Sequence, residues 1–225
     1  MPHEPHELHE AQFLFTTTAD GDLGLSCQGE SDVPCDEVEQ RRRRVVDRPW
    51  SWLRQVHGSR VVQVTSPGGG AGERADAAFT THSGVCLCAF GADCAPVVVI
   101  GAGGYGIAHA GWPGVRAGLV CQLVNEMRAA GVDQLRAHVG PSIGPECYEF
   151  GPDLLDVIAR QWGDGVRGRT SQGRPALNIA AALSAQLNEV GVDVESVGPC
   201  TACSPRHFSH RARRDVGRHA GVVWT

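Results

Sequence analysis

The sequence contains no lysine, and all 20 of its basic residues are arginine. This absence excludes the enzyme classes whose chemistry requires a lysine amine: phosphate-loop nucleoside triphosphatases, Schiff-base enzymes and pyridoxal phosphate enzymes. An anionic ligand must therefore be bound by arginine, by backbone N–H groups or by a metal ion.

Long apolar runs and a sustained basic face are also missing. No run approaches the roughly 20 apolar residues that a membrane-spanning helix needs, and the N-terminal stretch MPHEPHELHE is polar where a secretory signal would be apolar. The net charge is −5, and the one basic run, at 41–44, follows three acidic residues. We therefore expect neither nucleic acid nor a membrane as a partner.

Cysteine usage does not fit a disulfide framework. The nine cysteines are odd in number, and several of them, such as Cys86 and Cys88, stand within apolar segments. Reduced thiols in a cytoplasmic protein account best for this pattern.

The length of 225 residues is typical of one large domain with a real core. We expect a flexible tail over residues 1–10, followed by a single domain over 11–225. The tail carries His3, His6 and His9, which could hold a metal weakly, but a solvated segment is the favoured interpretation.

Four short β-type runs lie close together in the middle of the chain. They are DAAFTT (76–81), GVCLCAF (84–90), PVVVI (96–100) and YGIAHA (105–110). The connections are too short to hold helices, which predicts a meander or hairpins and not alternating β–α units. Further strands are predicted at 12–18, 61–64, 135–140, 194–198 and in the C-terminal GVVWT.

Helical spacing of apolar residues is found mainly after this block of strands. It predicts helices from Pro113 until Gly131 stops the run, and over 152–162 and 176–191. An earlier helix is predicted over 31–46, capped by Ser31 or Asp32. A block of strands with helices grouped later favours an α+β fold.

Three metal-type side chains stand where an apolar strand ends or a glycine-containing loop begins. They are His57 in RQVHG, Cys94 in ADCAP and His109 in AHAGW. Two imidazoles and one thiolate would form a three-ligand zinc set with the fourth position open. No compact motif links the three, so a buried free cysteine with hydrogen-bonded core histidines is the alternative.

The segment HAGWPG ends a strand and opens a helix beside His109. The first N–H groups of that helix would form an anion site suited to phosphate, although a plain β–α turn with Gly111 and Gly114 is also compatible. Asp93, next to Cys94, could orient a ligand histidine as a hydrogen-bond acceptor, or cap the following turn.

A C-x-x-C pair, CTAC, occupies residues 200–203. No second pair follows it, and Pro205 disfavours the helix that a thioredoxin-like site would open. We therefore interpret the pair as a structural loop in preference to a zinc or redox site. The segment after it contains four arginines, of which one or two could clamp phosphate or a carboxylate: Arg211, Arg213, Arg214 and Arg218.

Taken in order, several segments resemble the YfiH-like, or laccase-domain, family. They are WLRQVHGSRVV, ADAAFT, GVCLCAFGADCAPVVV, GIAHAGWPG, VGPSIGPECYEFG, CT at 200–201, FSHR, and GR at 217–218. The resemblance implies a layered α/β sandwich of mostly antiparallel or mixed sheets flanked by helices, similar to that of cytotoxic-necrotizing-factor deamidases. It also implies that His57, Cys94 and His109 bind zinc and carry the catalysis.

The activity that the resemblance implies is phosphorolysis of adenosine, inosine, guanosine and methylthioadenosine, with deamination of adenosine. Purine nucleosides and phosphate are then the expected partners. Copper-dependent oxidation of phenols is an alternative, although the chain has no H-x-H pair of the kind from which multicopper oxidases build their clusters. A Cys–His amidase or hydrolase acting in peptidoglycan editing is another, with Cys94 as nucleophile and His109 as base.

The chain departs from the family pattern at two arginines. Pro113 stands where the family reads G-W-R-G, and Ala212 replaces the second arginine after F-S-x-R. Arg42, by its register in the first helix, and Arg218 are the remaining candidates for binding phosphate or substrate. All three zinc ligands are retained, so metal binding is the better-supported expectation.

Overall fold

The computed structural model describes residues 11–24 and 35–225. The predicted cap at Ser31 or Asp32 and the histidines of the N-terminal tail lie outside these residues. The division into a tail over 1–10 and a single domain over 11–225 stays a prediction.

The strands of the described residues are, in chain order, β1 Gln12–Phe15, β2 Trp50–Ser51, β3 Val61–Gln63, β4 Ala77–Thr80, β5 Cys86–Gly91, β6 Ala95–Ala102, β7 Gly104–Ala110, β8 Asp133–Val139, β9 Arg167–Arg169, β10 Pro175–Leu177, β11 Asp193–Val197 and β12 His219–Trp224. The helices are α1 Cys35–Val45, α2 Trp112–Ala117, α3 Leu119–Ala129, α4 Pro152–Trp162, α5 Ile179–Glu189 and α6 His210–Arg213. None of these helices is both long enough and apolar enough to cross a membrane.

Two mixed sheets form the centre of the protein. One has the order β1-β12-β5-β2, and the other has the order β11-β8-β6-β7-β4-β3; β9 and β10 form a separate hairpin. The neighbours are antiparallel except for β2 with β5, β3 with β4, and β11 with β8. The expected layered sandwich of mixed sheets flanked by helices is confirmed.

Alternation along β5 explains how the layers pack. Cys86, Cys88 and Phe90 join the cluster that includes Val46 and Trp50 at one face of the four-stranded sheet. Leu87 and Ala89 point the other way, into the cluster shared with the six-stranded sheet. The opposite face of the six-stranded sheet packs against helices α2 to α5. Burying each large aliphatic side chain in these clusters contributes roughly 1.5–3 kcal/mol.

The predicted meander is wrong at β5. That strand leaves its sequence neighbours and pairs with β12 and β2, while β4 pairs with β7. Both faces of β5 are buried, so either sheet could accept it, and no local pattern distinguishes the two partners.

Two predicted helices have different bounds in the structure. The run after Trp112 is interrupted at Gly118, whose φ of 72° ends α2 and starts α3. In the 176–191 segment the first residues belong to β10, and α5 begins after Asn178, whose side chain accepts a hydrogen bond from the Ala181 N–H.

Candidate active site

The three candidate metal ligands come together at one end of the six-stranded sheet. His57 Nε2 lies 3.8 Å from Cys94 Sγ, and the rings of His57 and His109 lie 4.8 Å apart between centroids. One ligand atom from each of the three residues lies within 4.8 Å of the others. The donor set that the sequence predicted is therefore assembled in space.

Strand register explains why Cys94 and His109 are neighbours. β6 and β7 are antiparallel, with Ala95 opposite Ala110 and Pro96 opposite His109. Cys94 therefore precedes β6 just where β7 ends. Gly111 is the first residue after β7. A Cβ atom at this position would lie 2.9 Å from Cys94 Sγ and 3.0 Å from His57 Cδ2. The close approach of the backbone to both ligands thus requires glycine.

The carboxylate of Asp76 organises both histidines. It accepts hydrogen bonds from His109 Nδ1 at 2.9 Å and from the backbone N–H groups of Val56, His57 and Gly58 at 2.7–3.2 Å. His57 has a φ of 58°, a left-handed conformation that costs a non-glycine residue about 1 kcal/mol or more. The bonds to Asp76 hold this backbone in place and leave His109 Nε2 as the nitrogen available to a ligand.

Mutual electrostatics determine the protonation of these groups. Burial on its own would raise the pKa of Cys94, but the neighbouring His109 and His57 lower it to about 6. Burial would lower the pKa of His109, but Cys94 and the hydrogen bond to Asp76 raise it to about 9. The pKa of Asp76 lies below its ordinary value because hydrogen bonds from His109 and Gly58 outweigh its burial. Cys94 is therefore a thiolate near neutral pH, the form that binds metal or attacks as a nucleophile.

The ligands open into a cavity of about 530 Å³, within the usual size range of small-molecule sites. Aromatic rings of Phe90, Trp112 and Tyr148 line it together with Arg211 and Arg218. The Arg211 guanidinium lies 4.8 Å from the centre of the Tyr148 ring. Burial raises the pKa of Tyr148 to about 12, so its hydroxyl stays protonated and can donate a hydrogen bond.

The two candidate anion contacts lie in different environments. Arg218 faces the cavity, and its Nη1 donates to the carbonyls of the 215–217 turn. Arg42 is buried, donates from Nε to the Leu23 carbonyl at 2.9 Å, and has its guanidinium 4.8 Å from the Phe90 ring centre. The structure thus separates Arg42 from the cavity by the wall that Phe90 forms, because the apolar face of α1 carries this arginine into the core.

Asp93 does not have the partner that was predicted for it. It lies at the cavity, but its carboxylate accepts from Thr201 Oγ1 at 2.7 Å, Ser209 Oγ at 2.7 Å and the Arg211 N–H at 2.6 Å. Asp76 instead accepts the hydrogen bond from the histidine. Asp93 serves as an anchor between the 92–94 connection and two C-terminal loops.

The start of α2 lies beside the ligands, as the segment HAGWPG predicted. The helix begins at Trp112, and its N-cap Gly111 makes no side-chain capping bond. With only six residues, α2 offers little dipole, so the cavity arginines are the stronger candidates for binding an anion.

Sequence reasoning missed several residues of the site. Asp76 lies in the quoted segment ADAAFT, but a single aspartate before a strand carries no local signal of its partner 33 residues away. Gln55 exchanges two hydrogen bonds with the backbone of Phe90, at 2.8 and 2.9 Å, and so fixes a cavity wall. Tyr148 lies in the quoted VGPSIGPECYEFG, and Arg211 belongs to the arginine cluster already noted.

Comparison with known proteins agrees with this architecture. The family model described as "Multi-copper polyphenol oxidoreductase laccase" matches residues 20–225. A Streptomyces griseus protein named purine nucleoside phosphorylase ORF3 is 39% identical over 180 residues, which cover 77% of this chain and 73% of that protein. A Xylella fastidiosa protein named purine nucleoside phosphorylase is 34% identical over 88% of this chain and 83% of its own length.

Solved structures extend the comparison to the fold. YlmD from Geobacillus stearothermophilus superposes with a TM-score of 0.83 at 26% identity, covering 97% of this chain and 93% of that one. The hypothetical protein YfiH of Bacillus licheniformis superposes with a TM-score of 0.81 at 26% identity, covering 95% of this chain and 92% of that one. This protein therefore belongs to the laccase-domain, YfiH-like family.

Proposed function

We propose that this protein is a zinc-dependent purine nucleoside phosphorylase that acts on adenosine, inosine, guanosine and methylthioadenosine and also deaminates adenosine. The observation that carries the proposal is a Cys–His–His donor set that opens into a cavity lined by both aromatic rings and arginines. The names of the relatives from Streptomyces and Xylella support it.

The donor set fits zinc. One thiolate and two imidazoles from His57, Cys94 and His109 are preferred zinc ligands, and three protein ligands leave a position for substrate. The hydrogen bond from His109 to Asp76 is of the kind that orients a metal-binding imidazole. Zinc held by these three residues would supply Lewis-acid chemistry for polarising a substrate atom.

The remaining work falls to the chain's own side chains. The rings of Trp112 and Tyr148 offer faces on which a purine base can stack. Arg211 and Arg218 offer guanidinium groups for phosphate. The planar guanidinium can donate two parallel hydrogen bonds, which suits arginine to this role. Because the chain has no lysine, these two arginines are the side chains of the cavity lining that stay cationic at any working pH.

Phosphate-dependent release of hypoxanthine from inosine tests the proposal directly. We expect His57→Ala to lose most of this activity, and Arg211→Gln and Arg218→Gln to raise the KM for phosphate. Arg160→Gln is the matched control, since Arg160 lies on the exposed side of α4 and does not line the cavity. Base release without phosphate, or full activity in His57→Ala, would overturn the proposal.

Adenosine separates the two activities in a single assay. Phosphorolysis yields adenine and requires phosphate, whereas deamination yields inosine and does not. Formation of inosine alone would mean that the phosphorylase part of the proposal is wrong, and formation of adenine alone would remove the deaminase part.

Two other functions have observations in their favour. The description of the matching family model favours copper-dependent oxidation of phenols. The lowered pKa of Cys94 favours a Cys–His amidase or hydrolase such as a peptidoglycan-editing enzyme. Copper retained after purification without added copper, with oxidation of phenols, would support the first. Turnover of an amide substrate by the metal-free protein would support the second.

We further propose that the protein acts in the cytoplasm. Seven cysteines are free thiols, namely Cys86, Cys88, Cys94, Cys121, Cys147, Cys200 and Cys203, and a reducing compartment preserves that state.

A further inference from the structure

A second group of metal-type side chains lies where β8 and β11 end. These strands are parallel neighbours, so the loops that follow them leave the same edge of the sheet. The loop after β8 carries Glu146 and Cys147, and the loop after β11 carries Cys200 and Cys203. One ligand atom from each lies within 4.8 Å of the others; we call these four residues the thiol cluster.

Backbone hydrogen bonds hold the two loops in register. The Ser142 N–H donates to the Pro199 carbonyl at 3.2 Å, and the Thr201 N–H donates to the Ser142 carbonyl at 3.0 Å. A further bond from the Ser204 N–H to the Cys200 carbonyl, at 3.0 Å, closes a tight turn around the C-x-x-C pair. These bonds place the four side chains next to one another.

The distances within the thiol cluster match a metal site better than a disulfide. Cys147 Sγ and Cys203 Sγ lie 3.4 Å apart, whereas bonded sulfurs are about 2.05 Å apart. Tetrahedral zinc with Zn–S bonds of about 2.3 Å places its sulfurs roughly 3.8 Å apart. Glu146 Oε1 lies 3.5 Å from Cys203 Sγ, in position to be the fourth donor.

The surroundings also favour a cation. The Gly144 N–H donates to Cys200 Sγ at 3.1 Å, the type of bond that orients metal-binding thiolates. The Glu146 carboxylate folds back against the backbone of Gly144. Among the residues that the structure describes, no ion pair joins Glu146 to an arginine or histidine. The Glu146 carboxylate is therefore the charged group of the cluster, and the three thiols beside it can give up their protons to a divalent metal that binds there.

We propose that Cys147, Cys200, Cys203 and Glu146 bind a structural zinc ion. Four protein ligands close the coordination shell, which distinguishes this site from the open three-ligand set in the cavity. The interpretation of CTAC as a plain structural loop is revised accordingly: the partner of the C-x-x-C pair is not a second pair but the Glu146–Cys147 dipeptide from another loop.

The second zinc would clamp one wall of the cavity. Tyr148 follows Cys147 directly, and Ile143 lies on the same loop; both line the cavity. The Thr201 hydroxyl donates to the Asp93 carboxylate at 2.7 Å, and the Ile143 N–H donates to the Asp93 carbonyl at 2.9 Å. Asp93 precedes Cys94, so an ion at the thiol cluster holds the loops that support the first site. This role does not depend on which reaction the cavity carries out.

Zinc content per chain tests the proposal, measured by mass spectrometry of the metal after purification of the full chain under reducing conditions. We expect two zinc ions in the wild type and one each in Cys203→Ser and His57→Ala. Cys203 is exposed, so its replacement disturbs packing least. Cys121→Ser is the matched control and should retain two, since Cys121 donates to the Gln186 carbonyl outside both sites.

Two results would overturn the proposal. One is a single zinc ion in the wild type that Cys203→Ser retains and His57→Ala loses. The other is a wild-type protein that retains no zinc, whether or not protein purified without reductant shows a Cys147–Cys203 crosslink in its peptide map. If Cys203→Ser does not fold, cobalt(II) added to the Cys94→Ala protein, after its zinc has been removed with a chelator, decides the matter, because this variant keeps the thiol cluster and lacks the cysteine of the cavity set. Strong thiolate-to-cobalt charge-transfer absorption supports the site, and its absence rejects it.

Discussion

Replacing Asp76 with asparagine removes a charge from the centre of the cavity site without changing the shape of the side chain. Oδ1 accepts from His109 Nδ1 and the His57 N–H, both at 2.9 Å, and Oδ2 accepts from the Gly58 N–H at 2.7 Å. In the Asp76→Asn protein the amide oxygen can still accept from His109 Nδ1 and from the His57 N–H. The amide nitrogen then faces the Gly58 N–H, and two donors oppose each other.

The magnitude follows from these contacts. A buried donor left without an acceptor costs about 1–3 kcal/mol, and hydrogen bonds to an ionised acceptor are about twice as strong as neutral ones. Losing the Gly58 bond and the charge on the others should lower the free energy of unfolding by about 3 kcal/mol. Loss of the carboxylate that orients a metal-binding histidine should also weaken zinc binding about 10- to 100-fold.

Urea unfolding followed by tryptophan fluorescence measures the first effect, and competition with a chromogenic chelator measures the second. Asp93→Asn is the matched control, because the same chemical change falls next to Cys94 but on a carboxylate bonded to Thr201, Ser209 and Arg211. We expect Asp93→Asn to lower stability while zinc affinity at the Cys–His–His set changes much less. Equal loss of zinc affinity in both variants, or none in Asp76→Asn, would refute the reasoning.

Three further predictions concern the same region. Cys94 in the zinc-loaded protein should resist iodoacetamide until a chelator is added; rapid labelling before chelation, read by peptide mass, would indicate that no metal occupies the thiolate. Gly111→Ala should lower zinc affinity at least tenfold, since the added Cβ would lie 2.9 Å from Cys94 Sγ, whereas Gly151→Ala, at another helix N-cap with nothing within 4 Å, should leave it unchanged. Burial lowers the pKa of His219 to about 3, so between pH 6.5 and pH 3 the unfolded chain binds a proton that the folded chain does not. The titration of His219 should therefore reduce the free energy of unfolding by about 1.4 kcal/mol for each unit that the pH falls between 6.5 and 3. His219→Phe should remove that part of the pH dependence, measured as the difference in slope from the wild type in chemical unfolding; identical slopes would contradict it.

Much of the candidate site was accessible from the sequence because the three candidate ligands stand at recognisable boundaries. His57, Cys94 and His109 each interrupt an apolar or glycine-containing stretch, and the family segments around them occur in order. Strand and helix positions followed from periodicity wherever one face of the element is buried, as along α4, where Leu155 and Ile158 are buried.

Sheet assignment and long-range pairing were decided only by the tertiary structure. β5 is buried on both faces, so its pattern does not indicate which sheet it joins. For the same reason the antiparallel order of β4, β7 and β6 could not be deduced from spacing alone.

The sequence itself determined the absence of lysine and the choice of the three candidate ligands, because both are properties of single residues and their immediate neighbours. The choice of Asp76 over Asp93 as the partner of His109, and the meeting of Cys147 with Cys203 across 56 residues, were decided by strand register. A hydrogen bond or a metal site between distant segments depends on which strand ends lie side by side, and no local pattern of residues contains that information.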